Sequence, residues 1–292
     1  APNSLGQLRV QSEGYPLCVI DLADLAARKE EENSSAAILR GECAAFAQRG
    51  AKLSGLDVYI SSNVPKGSGV SSSAAFEVLI GVILNDCFMS GSISPIEIAQ
   101  IGQWAENVYF GKPCGLMDQT ACAVGKVITI DFKEVGHPVV REVPFDLAAK
   151  GFALCISDTK GSHADLTDDY AAVRREMESV AEFFGKKVLR DVDEETFLKA
   201  IPEVRKVTGD RAVVRAIHFY NDSRRAGEIY EAIKADDFDR FLQLIIEGGH
   251  SSFEFNQNAY SIKNPQEQGV PLALAISQKV LNGRGAWRLQ GG

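Results

Sequence analysis

The chain has 292 residues, 45% hydrophobic and 24% charged, which gives room for two modest globular domains of ordinary composition. A net charge of −8 argues against a nucleic-acid partner, and the four histidines show no zinc spacing. No apolar run approaches the roughly 20 residues that span a bilayer. Residues 1–10 lack a signal-peptide pattern and the six cysteines form no Cys-x-x-Cys pair, so the expectation is a cytoplasmic protein with reduced thiols and no membrane partner.

In chain order, residues 1–32 show little pattern beyond an apolar-rich stretch at 17–27, and residues 35–50 read as a helix. Leu56, Val58 and Ile60 alternate with Asp57, Tyr59 and Ser61, the period of a strand. The apolar run 74–84 is too long and too Ala-rich for a strand. It reads as a buried helix, with a serine of 71–73 as N-cap. Ser94-Pro-Ile-Glu97 is a capping box with Pro at the first helical position. The helix it opens has an apolar stripe at Ile98, Ile101, Ala105 and Val108. Residues 127–132 and 152–157 read as buried strands. Residues 166–184 carry a helical stripe at Tyr170, Val173, Met177, Val180 and Phe184. Further helices are predicted near 192–200, 210–234, 237–248 and 268–281. Gly136-His-Pro138 and the turn at Lys150-Gly151 are the best boundary, so domains 1–150 and 151–292 are expected in an α+β fold.

The stretch Pro65-Lys-Gly-Ser-Gly-Val-Ser-Ser-Ser-Ala-Ala75 stands between the predicted strand and the buried helix. Gly67 and Gly69 can adopt backbone angles closed to other residues and let a ligand approach the main chain. The free N–H groups of a first helical turn, backed by the helix dipole, favour an anion. Three adjacent hydroxyls can reach phosphate oxygens or a metal. The stretch lacks the Gly-Lys-Ser/Thr of a Walker A loop and the third glycine of a dinucleotide fingerprint. A plain glycine turn capped by serines would share its composition.

Pro65 to Ala75 resembles the second motif of the GHMP small-molecule kinases, Pro-x-Gly-x-Gly-hydrophobic-Ser-Ser-Ser-Ala. Ala105-Glu-Asn-Val-Tyr-Phe-Gly-Lys-Pro-Cys-Gly-Leu-Met-Asp-Gln119 resembles the galactokinase segment that carries the catalytic aspartate. Asp158-Thr-Lys-Gly-Ser-His, then Asp169-Tyr170 and Arg174-Arg175-Glu176, is similar to a later galactokinase segment with a Tyr before an Arg-rich helix. The resemblance covers nearly the whole chain. It implies the GHMP kinase fold, a ribosomal protein S5 domain 2-like N-terminal domain followed by a ferredoxin-like C-terminal domain. It also implies ATP and Mg²⁺ as cofactors and galactose as substrate, converted to galactose 1-phosphate. The alternatives are a kinase for N-acetylgalactosamine or another sugar, and a non-catalytic sensor that binds galactose and ATP. The intact Ser71-Ser-Ser-Ala74 run favours the enzyme.

The resemblance also implies roles. Gly67, Ser68, Gly69, Val70, Ser71, Ser72 and Ser73 would hold the nucleotide phosphates. Ser73 and Glu106 would hold Mg²⁺, which prefers hard oxygen ligands. Asp118 would accept the proton of the sugar's anomeric hydroxyl or orient that hydroxyl. Tyr170 would pack on the sugar, although its place on an apolar stripe also fits core packing. Asp158 and His163 flank the Gly161 loop and read as exposed loop residues, with an approach to the substrate as the alternative. The family's N-terminal sugar-gripping signature and the end of its third glycine motif have no counterpart here. The expectation is therefore an internal fragment, itself inactive, of an active parent.

Overall fold

The computed structural model describes residues 1–64, 69–134, 136–160 and 166–289. The chain divides into two compact units, Ala1–Ile128 and Thr129–Gly292.

In the first unit, β1 (Gln7–Ser12) pairs antiparallel with β2 (Cys18–Asp21) and parallel with β3 (Leu56–Ile60), in the order β2-β1-β3. Leu8, Val10, Ile20, Leu56 and Ile60 are buried from this sheet. They form one core with Leu39, Cys43 and Phe46 of α1 (Ser35–Gln48), with Ile80 and Leu84 of α2 (Ser72–Met89), and with Ile101 of α3 (Pro95–Ala105). Strands β1 and β2 correct the expectation that residues 1–32 are largely unpatterned. Leu8 and Val10 are the only apolar residues of β1, too few to announce a strand. Its stability comes from the neighbours it pairs with, as is usual for strands.

Helix α2 is longer than the apolar run 74–84, and it corrects the reading that no segment approaches a membrane span. At 18 residues and mean hydropathy 1.4 it is long and apolar enough to cross a membrane by length and composition alone. Yet it buries Glu77 and Asn85 beside Ala74, Ile80 and Leu84, and it packs on α1, α3 and α4 (Met117–Val124). Within the unit it is a core helix.

The capping box of α3 forms on both sides. Glu97 N–H donates to Ser94 Oγ at 3.3 Å, and Ser94 N–H donates to Glu97 Oε2 at 3.0 Å. Ile98, Ile101 and Ala105 are buried as the stripe predicts. Val108 is not, at 51% exposed. Beyond Ala105 the helix widens into a π turn, Glu106–Phe110. The wider turn takes Val108 off the stripe and brings Tyr109 inward, where its hydroxyl donates to the Leu25 carbonyl at 2.9 Å. Gly41 of α1 permits this approach, since a Cβ there would sit 2.9 Å from Ala105 Cβ and 3.0 Å from the Tyr109 ring.

The second unit is mainly helical. Strands β4 (Ile128–Asp131) and β5 (Val139–Glu142) form a two-stranded sheet. The helices are α5 (Thr167–Phe183), α6 (Glu194–Thr208), α7 (Asp210–Lys234), α8 (Phe238–Ser251) and α9 (Gly269–Leu281). Val180, Ala181, Leu189, Phe197, Val204, Val213 and Ala216 form its core, with Met177 and Phe184 packed against it. Helix α6 runs past the predicted end at 200 and through Pro202, held by buried Phe197 and Val204 on either side. Two strand expectations are corrected. Strand β4 is half-buried, not buried. Residues 152–157 pair with no strand among the described residues, and Leu154 is 83% exposed. An apolar run becomes a strand only where a ladder partner and a covering layer meet it.

Candidate active site

Gly67 and Ser68 of the glycine loop lie outside the described residues. Gly69 has φ +74° and Ser71 has φ +54°, the left-handed region that disfavours a side chain at Ser71. Ser71 takes the N-cap position of α2, as the serine run predicts, but its hydroxyl does not cap the helix. It donates instead to the Asp118 carboxylate. Among the described residues no side chain caps the first turn of α2, beside the half-buried Ser72 and the exposed Ser73. First-turn amides backed by a helix dipole suit an anion.

Asp118 is half-buried in the first turn of α4, where the dipole favours a carboxylate. The loop before it is pinned to the end of α3. Cys114 N–H donates to Asn107 Oδ1 at 2.8 Å, and Gln103 Nε2 donates to the Cys114 carbonyl at 3.2 Å.

Glu106 opens the π turn and is 5% exposed, so it is no solvated helix glutamate. It belongs to a buried acidic group that sequence reasoning missed. Gln119 Nε2 donates to Glu77 Oε2 at 3.0 Å and to Glu106 Oε2 at 3.2 Å. Burial first, then the charge of Glu106, pushes the Glu77 carboxyl up to about 7. Glu42 of α1 is fully buried, and among the described residues neither of its oxygens has a hydrogen-bond partner. Burial, then the charge of Glu77, holds its carboxyl well above the ordinary carboxylate range. The available signal was an acid inside an otherwise apolar helical run, at Glu77, and an amide directly after Asp118.

The structure therefore brings Ser71 to Asp118 and Glu106 to Gln119 and Glu77. It does not join Ser73 to Glu106, and among the described residues these two share no hydrogen bond. No three His, Cys, Asp or Glu side chains gather as a metal site among the described residues. The Glu106 carboxylate still suits a hard divalent cation that keeps several waters, and among the described residues no Lys or Arg forms an ion pair with it. Tyr170 lies in the other unit, on α5, and is 45% exposed, outside the core made by Met177, Val180 and Phe184. Asp158 pairs with Lys160 at 2.6 Å on an exposed stretch, and His163 lies outside the described residues.

Residues 37–126, which contain every one of these first-unit groups, match the GHMP kinases N terminal domain. A galactokinase of Streptomyces coelicolor is 31% identical over 98% of this chain and 71% of its own length. A galactokinase of Actinobacillus pleuropneumoniae is 34% identical over 82% of this chain. The chain spans 59% of that relative's length. The fold matches a Lactococcus lactis galactokinase solved in complex with galactose, with a TM-score of 0.76 at 20% identity, over 96% of this chain and 70% of that one. The α+β architecture is thus the GHMP kinase fold, and by sequence the chain belongs to the galactokinases of that family.

Proposed function

We propose that the protein transfers the γ-phosphoryl group of ATP to the anomeric hydroxyl of galactose, giving galactose 1-phosphate and ADP. The observation that carries this reading is the contact between Ser71 and Asp118. It brings the start of α2 to a carboxylate, so one end of the site suits phosphate oxygens and the other a hydroxyl proton. Phosphoryl transfer asks mainly for positioning and charge neutralisation. The amides and hydroxyls of Gly69 to Ser73, with Gly67 and Ser68, hold the phosphates. Asp118 orients the anomeric hydroxyl and takes its proton as the bond from that oxygen to the γ-phosphorus forms and the bond to the β–γ bridging oxygen breaks. Ser73 and Glu106 would hold Mg²⁺, which when bound neutralises phosphate charge. Tyr170, on α5 of the second unit, would pack on the sugar. Six free cysteines fit a reducing cytoplasm.

Two findings support the substrate: the galactokinase relatives, and the galactose bound to the protein of the same fold. ADP release across a panel of sugars tests it. Galactose should give the highest kcat/KM. A preference for N-acetylgalactosamine would replace the substrate. Binding of ATP and galactose without ADP release would replace the enzyme with a sensor.

A further inference from the structure

We propose that Gln119 is a positioning residue, whose amide fixes the Glu106 carboxylate against Glu77 and so sets how Glu106 meets the cation of the reaction. The proposal rests on the reading above that Glu106 serves that cation.

Gln119 is 3% exposed. Its side-chain nitrogen carries two hydrogens, and carboxylates from two different elements, α2 and the π turn after α3, stand 3.0 and 3.2 Å from it. Three pieces of the fold therefore meet at one atom. In each carboxylate the contact is to Oε2, which leaves Oε1 of Glu106 out of the bridge. The backbone makes room for this arrangement. A Cβ on Gly102 of α3 would lie 3.1 Å from Glu77 Cβ, 3.2 Å from Glu77 Oε2 and 3.7 Å from Gln119 Cγ. Any larger residue at 102 would press on the bridge itself.

The residue type carries the argument further. Two buried carboxylates repel each other and need a donor. A Lys or Arg at 119 would supply one, but it would also cancel the negative charge that attracts a divalent cation. A Glu would add a third carboxylate to the group. A neutral amide orients both acids and adds no charge of its own. Partners of this kind, one step removed from the metal, typically govern its affinity by about 10–100-fold.

The test measures Mn²⁺ binding in the presence of ADP by electron paramagnetic resonance, beside the Mg²⁺ concentration for half-maximal rate. Gln119→Met keeps the volume and removes the donor. It should weaken Mn²⁺ binding and raise the Mg²⁺ requirement by about tenfold or more, with the KM for ATP at saturating Mg²⁺ little changed. Gln119→Glu should do the same. Combining Gln119→Glu with Glu77→Gln restores an amide–carboxylate pair, and should recover most of the lost Mn²⁺ affinity. That exchange decides the matter even if Gln119→Met does not fold. Wild-type Mn²⁺ binding in Gln119→Glu, or no recovery in the exchange, overturns the proposal. Glu106→Gln separates the layers. If it weakens Mn²⁺ binding and the Gln119 variants do not, only the role of Gln119 falls. If Glu106→Gln itself binds Mn²⁺ as wild type does, the role of Glu106 falls, and that of Gln119 with it.

Discussion

In the second unit the buried cation Arg215 meets Glu176 at 2.9 Å and donates Nε to the Asn256 carbonyl at 3.0 Å. In the first unit Glu42, Glu77 and Glu106 are buried with no described cation paired to them. The first unit can close a buried charge when it needs to, since Arg40 forks onto both oxygens of Glu31 at 2.7 and 2.6 Å. Its open carboxylates are therefore not a failure of packing. A closed pair fixes neighbouring elements and has no further charge to offer. An open carboxylate such as Glu106 is left for a ligand, whereas the buried Glu42 holds its proton. The difference separates buried charges that are closed into ion pairs from buried acids that, among the described residues, are not.

The largest expected effect falls on the open side. Asp118→Asn should lower turnover by about 10²–10⁴-fold, while ATP binding by calorimetry persists. Retention of more than about a third of the wild-type rate, far outside that range, would remove Asp118 from its role. On the closed side, Arg215→Met should cost about 3 kcal/mol in urea unfolding, because it strands part of Glu176 and the Asn256 carbonyl. The Mg²⁺ dependence of whatever folds should not move. A change in that dependence would blur the comparison.

Glu42 sharpens it. As a carboxyl without partners it should be a burden at high pH. Its proton is held in the folded state and released in the unfolded state once pH exceeds the ordinary value of 4.5. Stability should therefore fall as pH rises from 4.5, and Glu77 should add to the fall until about 7. Glu42→Met should flatten this slope and stabilise the protein at pH 8 by about 1–3 kcal/mol, the usual cost of an unsatisfied buried group. Denaturant melts between pH 5.5 and 8.5 would show it, and an unchanged slope would mean that Glu42 is not the cause. The smallest effect is purely local. Ser94→Ala should remove the capping box of α3 at about 1 kcal/mol, without altering ATP affinity.

Much of this was legible in the sequence, for reasons the structure makes plain. Helices α1, α3, α5, α7, α8 and α9 announce themselves through local periodicity and caps. The strand β3 alternates over its full length, Leu56–Ile60. By contrast β1 and β2 depend on partners distant in sequence, and 152–157 looks like a strand yet pairs with none among the described residues. The π turn hides in a helical stripe, because nothing in Glu-Asn-Val-Tyr-Phe says that one turn will widen. At the site, Asp118, Glu106 and the serine run were readable as motifs. The acid at Glu77 and the amide at Gln119 stood in view, but their link did not, because the hydrogen bond joins residues 42 apart and leaves no periodic trace. Nor could composition reveal that Ser71, held in a left-handed backbone, turns its hydroxyl to Asp118 in place of its own helix.

The central claim is that the open carboxylates of the first unit serve the cation of phosphoryl transfer. The Mg²⁺ concentration for half-maximal ADP release tests it most directly, measured for the wild-type protein and for Glu106→Ala and Ser73→Ala. Both substitutions should raise it, because only a shared metal gives one phenotype to residues from separate motifs. A Mg²⁺ profile in Glu106→Ala that overlays the wild type would contradict the claim.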